Sequence, residues 1–92
     1  MFKIAFIGAG SVGFTRTLLT DVLSVPEFRG VEIAFTDINQ RNLDMVTQLC
    51  QRDLESNGIN TKIHSTLNRR EALKGAKAIG YIKKGVRGVE II

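Results

Sequence analysis

Apolar positions fall into four short runs and two longer helical stripes, with a third, short helix marked by its cap, and runs and helices alternate along the chain. Phe2 to Ile7 (FKIAFI) is rich in β-formers, carries one charge at Lys3 and stops at Gly8, which predicts a buried strand. From Ser11 the period changes. Phe14, Leu18, Val22 and Val25 recur at helical spacing, Leu19 and Leu23 widen the stripe, and Pro26 marks its end. Val31 to Thr36 (VEIAFT) predicts a second strand, with Asp37 directly after it. Asn39 can cap a second helix whose apolar positions are Leu43, Val46, Leu49 or Cys50, and Leu54. Asn57 and Gly58 close it, since both tolerate the left-handed conformation of a helix exit. Thr61 to Ser65 (TKIHS) predicts a short third strand. Asn68 stands three residues before Glu71, the spacing of a capping box, and starts a short helix through Leu73 that ends at Gly75. Ala78 to Ile82 (AIGYI) predicts a weaker fourth strand, and the tail KKGVRGVEII has no clear period.

Strands and helices in strict alternation argue for a parallel sheet with helices packed on its faces. About four strands and three helices make half of a doubly wound domain, an α/β, Rossmann-like three-layer parallel sheet in partial form. Such a half leaves an open sheet edge, which favours association.

The three glycines after the first strand carry the chemistry. In G-x-G-x-x-G, Gly8 lets the chain turn off the strand, Gly10 admits a pyrophosphate close to the backbone, and Gly13 lets helix and strand pack closely. The amides of Ser11, Val12 and Gly13 then stand at a helix N-terminus, where unpaired donors and the helix dipole favour an anion. Ser11 can cap the helix or donate its hydroxyl to phosphate. Asp37 ends the next strand 24 positions beyond Gly13, where a carboxylate accepts hydrogen bonds from the adenine ribose and repels a 2′-phosphate. The loop Gly8, Ala9, Gly10, Ser11, Val12 and Gly13 together with Asp37 therefore forms a candidate NAD site, with NAD preferred over NADP. Arg41 is placed to neutralise a 2′-phosphate, but a solvent-facing position on the second helix explains it as well.

Composition narrows the remaining classes. A chain of 92 residues is one small domain at most. The net charge of +4 comes from scattered lysines and arginines with no interleaved aromatics, so nucleic acid is not an expected partner. No apolar run approaches the roughly 20 residues that cross a bilayer, so neither is a membrane. Cys50 lies on the apolar stripe of the second helix, and His64 has no nearby ligand partner. Asp21 and Asp53 fall inside helices, and no spacing suggests a metal site.

A longer pattern adds to this reading. Gly8-Ala9-Gly10-Ser11, Phe14, Leu18-Leu19-Thr20-Asp21-Val22-Leu23, Asp37-Ile38 and the Arg69 to Ala76 segment (RREALKGA) resemble the N-terminus of family 4 glycoside hydrolases. The resemblance covers about residues 2 to 76 and is closest to the α-galactosidase and α-glucosidase members. It implies an NAD-dependent exception to two-carboxylate glycoside hydrolysis. Bound NAD⁺ takes hydride from the sugar, the glycosidic bond leaves by elimination with help from manganese and a tyrosine base, and the hydride returns. It also implies a cytoplasmic and oligomeric protein. Of the family's functional residues it places only Gly8, Gly10, Ser11 and Asp37 here. The family's metal ligands and tyrosine fall beyond residue 92, so Cys50, His64 and Tyr81 do not inherit those roles.

After Gly75-Ala76 the pattern departs. The family continues with an Asp, an apolar strand, an Asn beside the cofactor and an Arg-x-Gly-Gly turn. Here Lys77 replaces the Asp, Tyr81 stands near the Asn position, Lys83-Lys84 interrupt the apolar run, and VRGVE resembles the turn with a residue missing. A reading-frame lesion or a truncated gene produces such a segment. The reading is therefore residues 1–92 as the N-terminal part of an NAD-binding domain, inactive as a glycosidase alone. Two others stay open: a piece of an NAD-dependent hydroxy-acid dehydrogenase, and a non-enzymatic nucleotide-binding or self-associating module.

Overall fold

The computed structural model describes residues 3–24, 26, 30–83 and 86–91. Phe2 and Val25 lie outside them, as do the side chains of Phe14 and of Tyr81 onward. The order is β1 (Lys3–Ile7), α1 (Val12–Leu23), β2 (Glu32–Thr36), α2 (Gln40–Ser56), β3 (Ile63–Thr66), α3 (Arg69–Leu73), β4 (Ala78–Lys83) and β5 (Val86–Ile91). The sheet runs β3-β2-β1-β4-β5. Its first four strands are parallel, and β5 returns antiparallel along β4.

The sheet is buried mainly by its larger helices. Ile4, Phe6, Ile33 and Phe35 from the strands meet Leu18, Leu19, Val22 and Leu23 of α1 and Leu43, Val46, Cys50 and Leu54 of α2. Every one of these was placed on a strand run or apolar stripe by its spacing. Phe6 and Phe35 are register partners, with ring centroids 5.2 Å apart and planes tilted 56°. Gly80 pairs with Phe6 on the other side. A Cβ at Gly80 would meet Leu18 Cδ2 at 3.2 Å and Phe6 Cδ2 at 3.4 Å. The close approach of α1 to the sheet is thus made at Gly80.

Two features were not legible in the pattern. The tail expected to lack period forms β5, because an antiparallel strand is specified by its backbone pairing with β4 rather than by alternation. That strand covers the edge of β4 that the half-domain reading left open. Lys3 was expected only at the start of β1. It is buried, and its ammonium donates to the carbonyls of Glu71 (3.2 Å) and Lys74 (2.8 Å) at the end of α3. A buried cation is tolerated there because unpaired helix-terminal carbonyls accept from it.

The helix ends follow their sequence signals. Asn39 Oδ1 accepts from the Asn42 amide at 2.9 Å, and Asn68 Oδ1 from the Glu71 amide at 3.2 Å. The box at Asn68 is only half closed. Its own amide donates to Thr66 Oγ1, while Glu71 turns to His64 and Thr66. At the exit of α2 it is Gly58, with φ +69°, that takes the left-handed conformation.

Candidate functional site

The strand order reverses between β1 and β4, since β2 and β3 lie on one side of β1 and β4 on the other. In parallel sheets that switch point, at the carboxyl ends of the strands, is where ligands bind. The glycine loop leaves β1 there. Gly8 has φ +77°, which a side chain would oppose. The amides of Gly8 and Ala9 both donate to the carbonyl of Thr36, each at 3.0 Å, and fasten the loop to the end of β2.

That fastening sets Asp37 over the loop. A Cβ built on Gly10 would overlap the Asp37 carboxylate and stand 3.0 Å from Asn42 Cβ. Asp37 is held in turn by the Asn39 amide, which donates to its Oδ2 at 3.1 Å. Gly10 is thus glycine because the carboxylate occupies the space of its side chain. Ile38, next in sequence, is fully exposed and offers an apolar surface beside Asp37. Spacing did not single it out, since one apolar residue after a strand fits any loop.

Ser11 occupies the N-cap position of α1 in extended conformation (φ −87°, ψ 103°) but makes no capping bond through its side chain. Its carbonyl accepts from the Thr15 amide at 3.0 Å, and its own amide makes a long contact of 3.4 Å with the Gly8 carbonyl. Among the described residues, the amides of Gly10, Val12 and Gly13 have no acceptor. The site is therefore a short row of backbone donors at a helix mouth beside one carboxylate. It can take an anion at the amides and a hydroxylated group at Asp37.

The packing role expected of Gly13 is corrected. A Cβ there would meet nothing within 4 Å, and the residue is exposed. The second helical position faces away from the sheet, and the close helix-strand contact falls to Gly80 instead. Thr15 was missed altogether. It is fully buried, and its hydroxyl donates to the Ala9 carbonyl at 2.9 Å.

Cys50 and His64 stand apart from this site. Burial and the neighbouring Asp53 push the Cys50 thiol up to about 11, the inert range for a thiol. His64 pairs with Glu71 at 2.8 Å on the surface. Arg16 joins Asp53 through two bonds of 2.8 and 3.0 Å, linking α1 to α2 between a hollow of about 230 Å³ that no residue of the glycine loop lines and one of about 560 Å³ that Val12 and Gly13 also line. Among the described residues no three His, Cys, Asp or Glu side chains stand together as a metal site, and no helix is long and apolar enough to cross a membrane.

Comparison with known proteins meets this geometry. The model of the family 4 glycosyl hydrolases matches residues 3–91. The chain belongs to that family. It is 53% identical over 78 residues to an alpha-galactosidase of Rhizobium meliloti (strain 1021), covering 85% of this chain and 16% of the relative. It is 36% identical over 77 residues to a 6-phospho-beta-glucosidase of Escherichia coli (strain K12), covering 80% and 17%. Among solved structures, the 6-phospho-beta glucosidase of Thermotoga maritima with manganese, NAD+ and glucose-6-phosphate superposes with a TM-score of 0.77 at 23% identity. The superposition covers 90% of this chain and 19% of that one, and it shows the shared fold. The family 4 chain thus spans less than a fifth of the length of these relatives. The family match favours the glycosidase reading over that of a hydroxy-acid dehydrogenase.

Proposed function

We propose that this chain is the NAD-binding N-terminal portion of a family 4 glycosidase of the α-galactosidase or α-glucosidase type. One observation carries the reading: the Asp37 carboxylate occupies the space above Gly10, beside acceptor-free amides at Gly10, Val12 and Gly13. In this reading the loop Gly8, Ala9, Gly10, Ser11, Val12 and Gly13 receives the diphosphate of the dinucleotide. Asp37 accepts from the hydroxyls of the adjoining ribose and repels a 2′-phosphate, and exposed Ile38 offers an apolar surface next to it. When bound, NAD⁺ supplies a reversible hydride acceptor. The part of this chain is to hold it by its adenosine diphosphate end. The relatives' names support a glycoside as the substrate of the whole enzyme, with manganese as a second cofactor. We place glycosidic cleavage and the metal in the length of the relatives that this chain does not span.

Titration of the 92-residue chain with NAD⁺ and with NADP⁺ by calorimetry tests the reading. Binding of NAD⁺ at least tenfold tighter than NADP⁺ is expected, with that preference lost in Asp37→Ser. Equal binding of the two cofactors by the unaltered chain refutes the role given to Asp37, and no binding of either refutes the assignment. Turnover of a nitrophenyl galactoside by this chain alone, with manganese and NAD⁺, refutes the placement of cleavage elsewhere.

A further inference from the structure

The threonines of α1 behave in two ways. Thr17 and Thr20 donate their hydroxyls to the carbonyls four residues back, Gly13 (2.9 Å) and Arg16 (2.8 Å), within their own helix. This is the ordinary habit of a helical threonine. Thr15 departs from it. Its hydroxyl reaches out of the helix to the carbonyl of Ala9, six residues back and inside the glycine loop, and both residues are fully buried.

The consequence lies on the other side of that peptide. The Ala9–Gly10 bond is trans, and a planar trans peptide directs its C=O and N–H in opposite directions. Fixing the Ala9 carbonyl inward on Thr15 turns the Gly10 N–H away from the helix. That amide is one of the donors without an acceptor. The preceding two amides are already committed to Thr36, so the loop is held just before the peptide as well as at its carbonyl. Without the hydroxyl, the Ala9 carbonyl is a buried acceptor with no partner, and rotation of the peptide becomes its way to find one.

We propose that Thr15 is a positioning residue for the dinucleotide site, holding the Ala9–Gly10 peptide so that the Gly10 amide faces the diphosphate. The proposal rests on the dinucleotide reading above for its ligand, but not for its geometry. Thr15→Val keeps the side-chain volume and removes the hydroxyl, while Thr15→Ser keeps the hydroxyl.

Both variants of the 92-residue chain are titrated with NAD⁺, and their ligand-free amide spectra are recorded by NMR. Thr15→Val is expected to bind about tenfold more weakly, and Thr15→Ser within about threefold of the unaltered chain. The Gly10 amide resonance should move in Thr15→Val and return in Thr15→Ser, while those of the core residues Phe35 and Val46 stay in place. A merely structural role lowers the melting temperature without producing this pattern. Unchanged affinity in folded Thr15→Val overturns the proposal, as does weakened binding in Thr15→Ser. If Thr15→Val does not fold, Thr15→Ser decides alone. If the unaltered chain does not bind NAD⁺, the dinucleotide reading fails. The Gly10 resonance then still judges the clamp, and its failure to move in Thr15→Val overturns it.

Discussion

Ser11, Asn39 and Asn68 stand at the same position before α1, α2 and α3, and their backbones are nearly superimposable. The φ, ψ pairs are −87°, 103° for Ser11, −107°, 108° for Asn39 and −87°, 104° for Asn68. Yet the two asparagines close their helices by accepting from an amide of the first turn, and the serine does not. Serine caps as well as asparagine in general, so residue type does not explain the difference. At α2 and α3 the cap oxygen takes the third amide of the helix, while the first two, of Gln40 and Arg41 and of Arg69 and Arg70, have no acceptor among the described residues, as Val12 and Gly13 have none. Around α1 the loop is braced from behind by Thr15 and Thr36, and its front row of amides is left unpaired. The contrast fits the proposed role of the loop: two helix starts are capped by a side chain, and the one beside Asp37 is not.

The sharpest way to break this comparison is to fill the space at Gly10. Gly10→Ala puts a methyl into the Asp37 carboxylate and against Asn42. Overpacking of this kind costs about 1–3 kcal/mol, and it should displace Asp37 and abolish measurable NAD⁺ binding. Gly13→Ala adds the same methyl where nothing lies within 4 Å, at a helical position. It should raise stability by about 0.5–1 kcal/mol, since alanine loses less entropy than glycine in a helix. Denaturant melts with parallel NAD⁺ titrations read both. Equal effects from the two substitutions contradict the division of labour drawn between these glycines.

A smaller effect comes from the caps themselves. Asn39→Ala removes an accepting oxygen from α2 and should cost about 1 kcal/mol in a chemical melt. Ser11→Ala removes no capping bond, so stability should stay within about 0.5 kcal/mol while NAD⁺ affinity falls. If Ser11→Ala costs as much stability as Asn39→Ala, the serine is an ordinary cap and the open start of α1 is not open.

Most of the fold could be read because it is written in period. The stripe Leu43, Val46, Cys50 and Leu54 and the runs through Phe6 and Phe35 land in the core because a face buried on one side imposes its spacing on the chain. The candidate site was legible as far as its glycines and Asp37, since the fingerprint encodes a turn, a close approach and a carboxylate at fixed distances. What lay hidden depends on contacts between distant residues. Lys3 reaches α3 across more than 60 positions, Gly80 accommodates Leu18, and Thr15 folds back on Ala9. No local pattern marks these, because each residue type is unremarkable where it stands. Gly13 was misread for the complementary reason: the fingerprint names a third glycine, but in this chain the strand that needs it is β4.

The closed region around α3 also predicts a response to acid. Glu71 receives the His64 ring at 2.8 Å and the Thr66 hydroxyl at 3.3 Å, and Lys3 lies near. The hydrogen bond from His64 is the largest influence holding the Glu71 carboxyl below its ordinary value of 4.5, with Thr66 and the charges of His64 and Lys3 adding to it. A carboxyl depressed in the folded state stabilises the fold above its unfolded value, and that contribution disappears as pH falls through the folded value. The melting temperature of the unaltered chain should therefore exceed that of Glu71→Gln at pH values above the ordinary carboxyl value, where Glu71 is ionised. The margin should close as the pH drops below about 4.5. Because the pair is exposed the margin is small, and salt should narrow it further. A gap that persists at low pH means that Glu71 acts through its shape and its bond to Thr66 rather than through its charge.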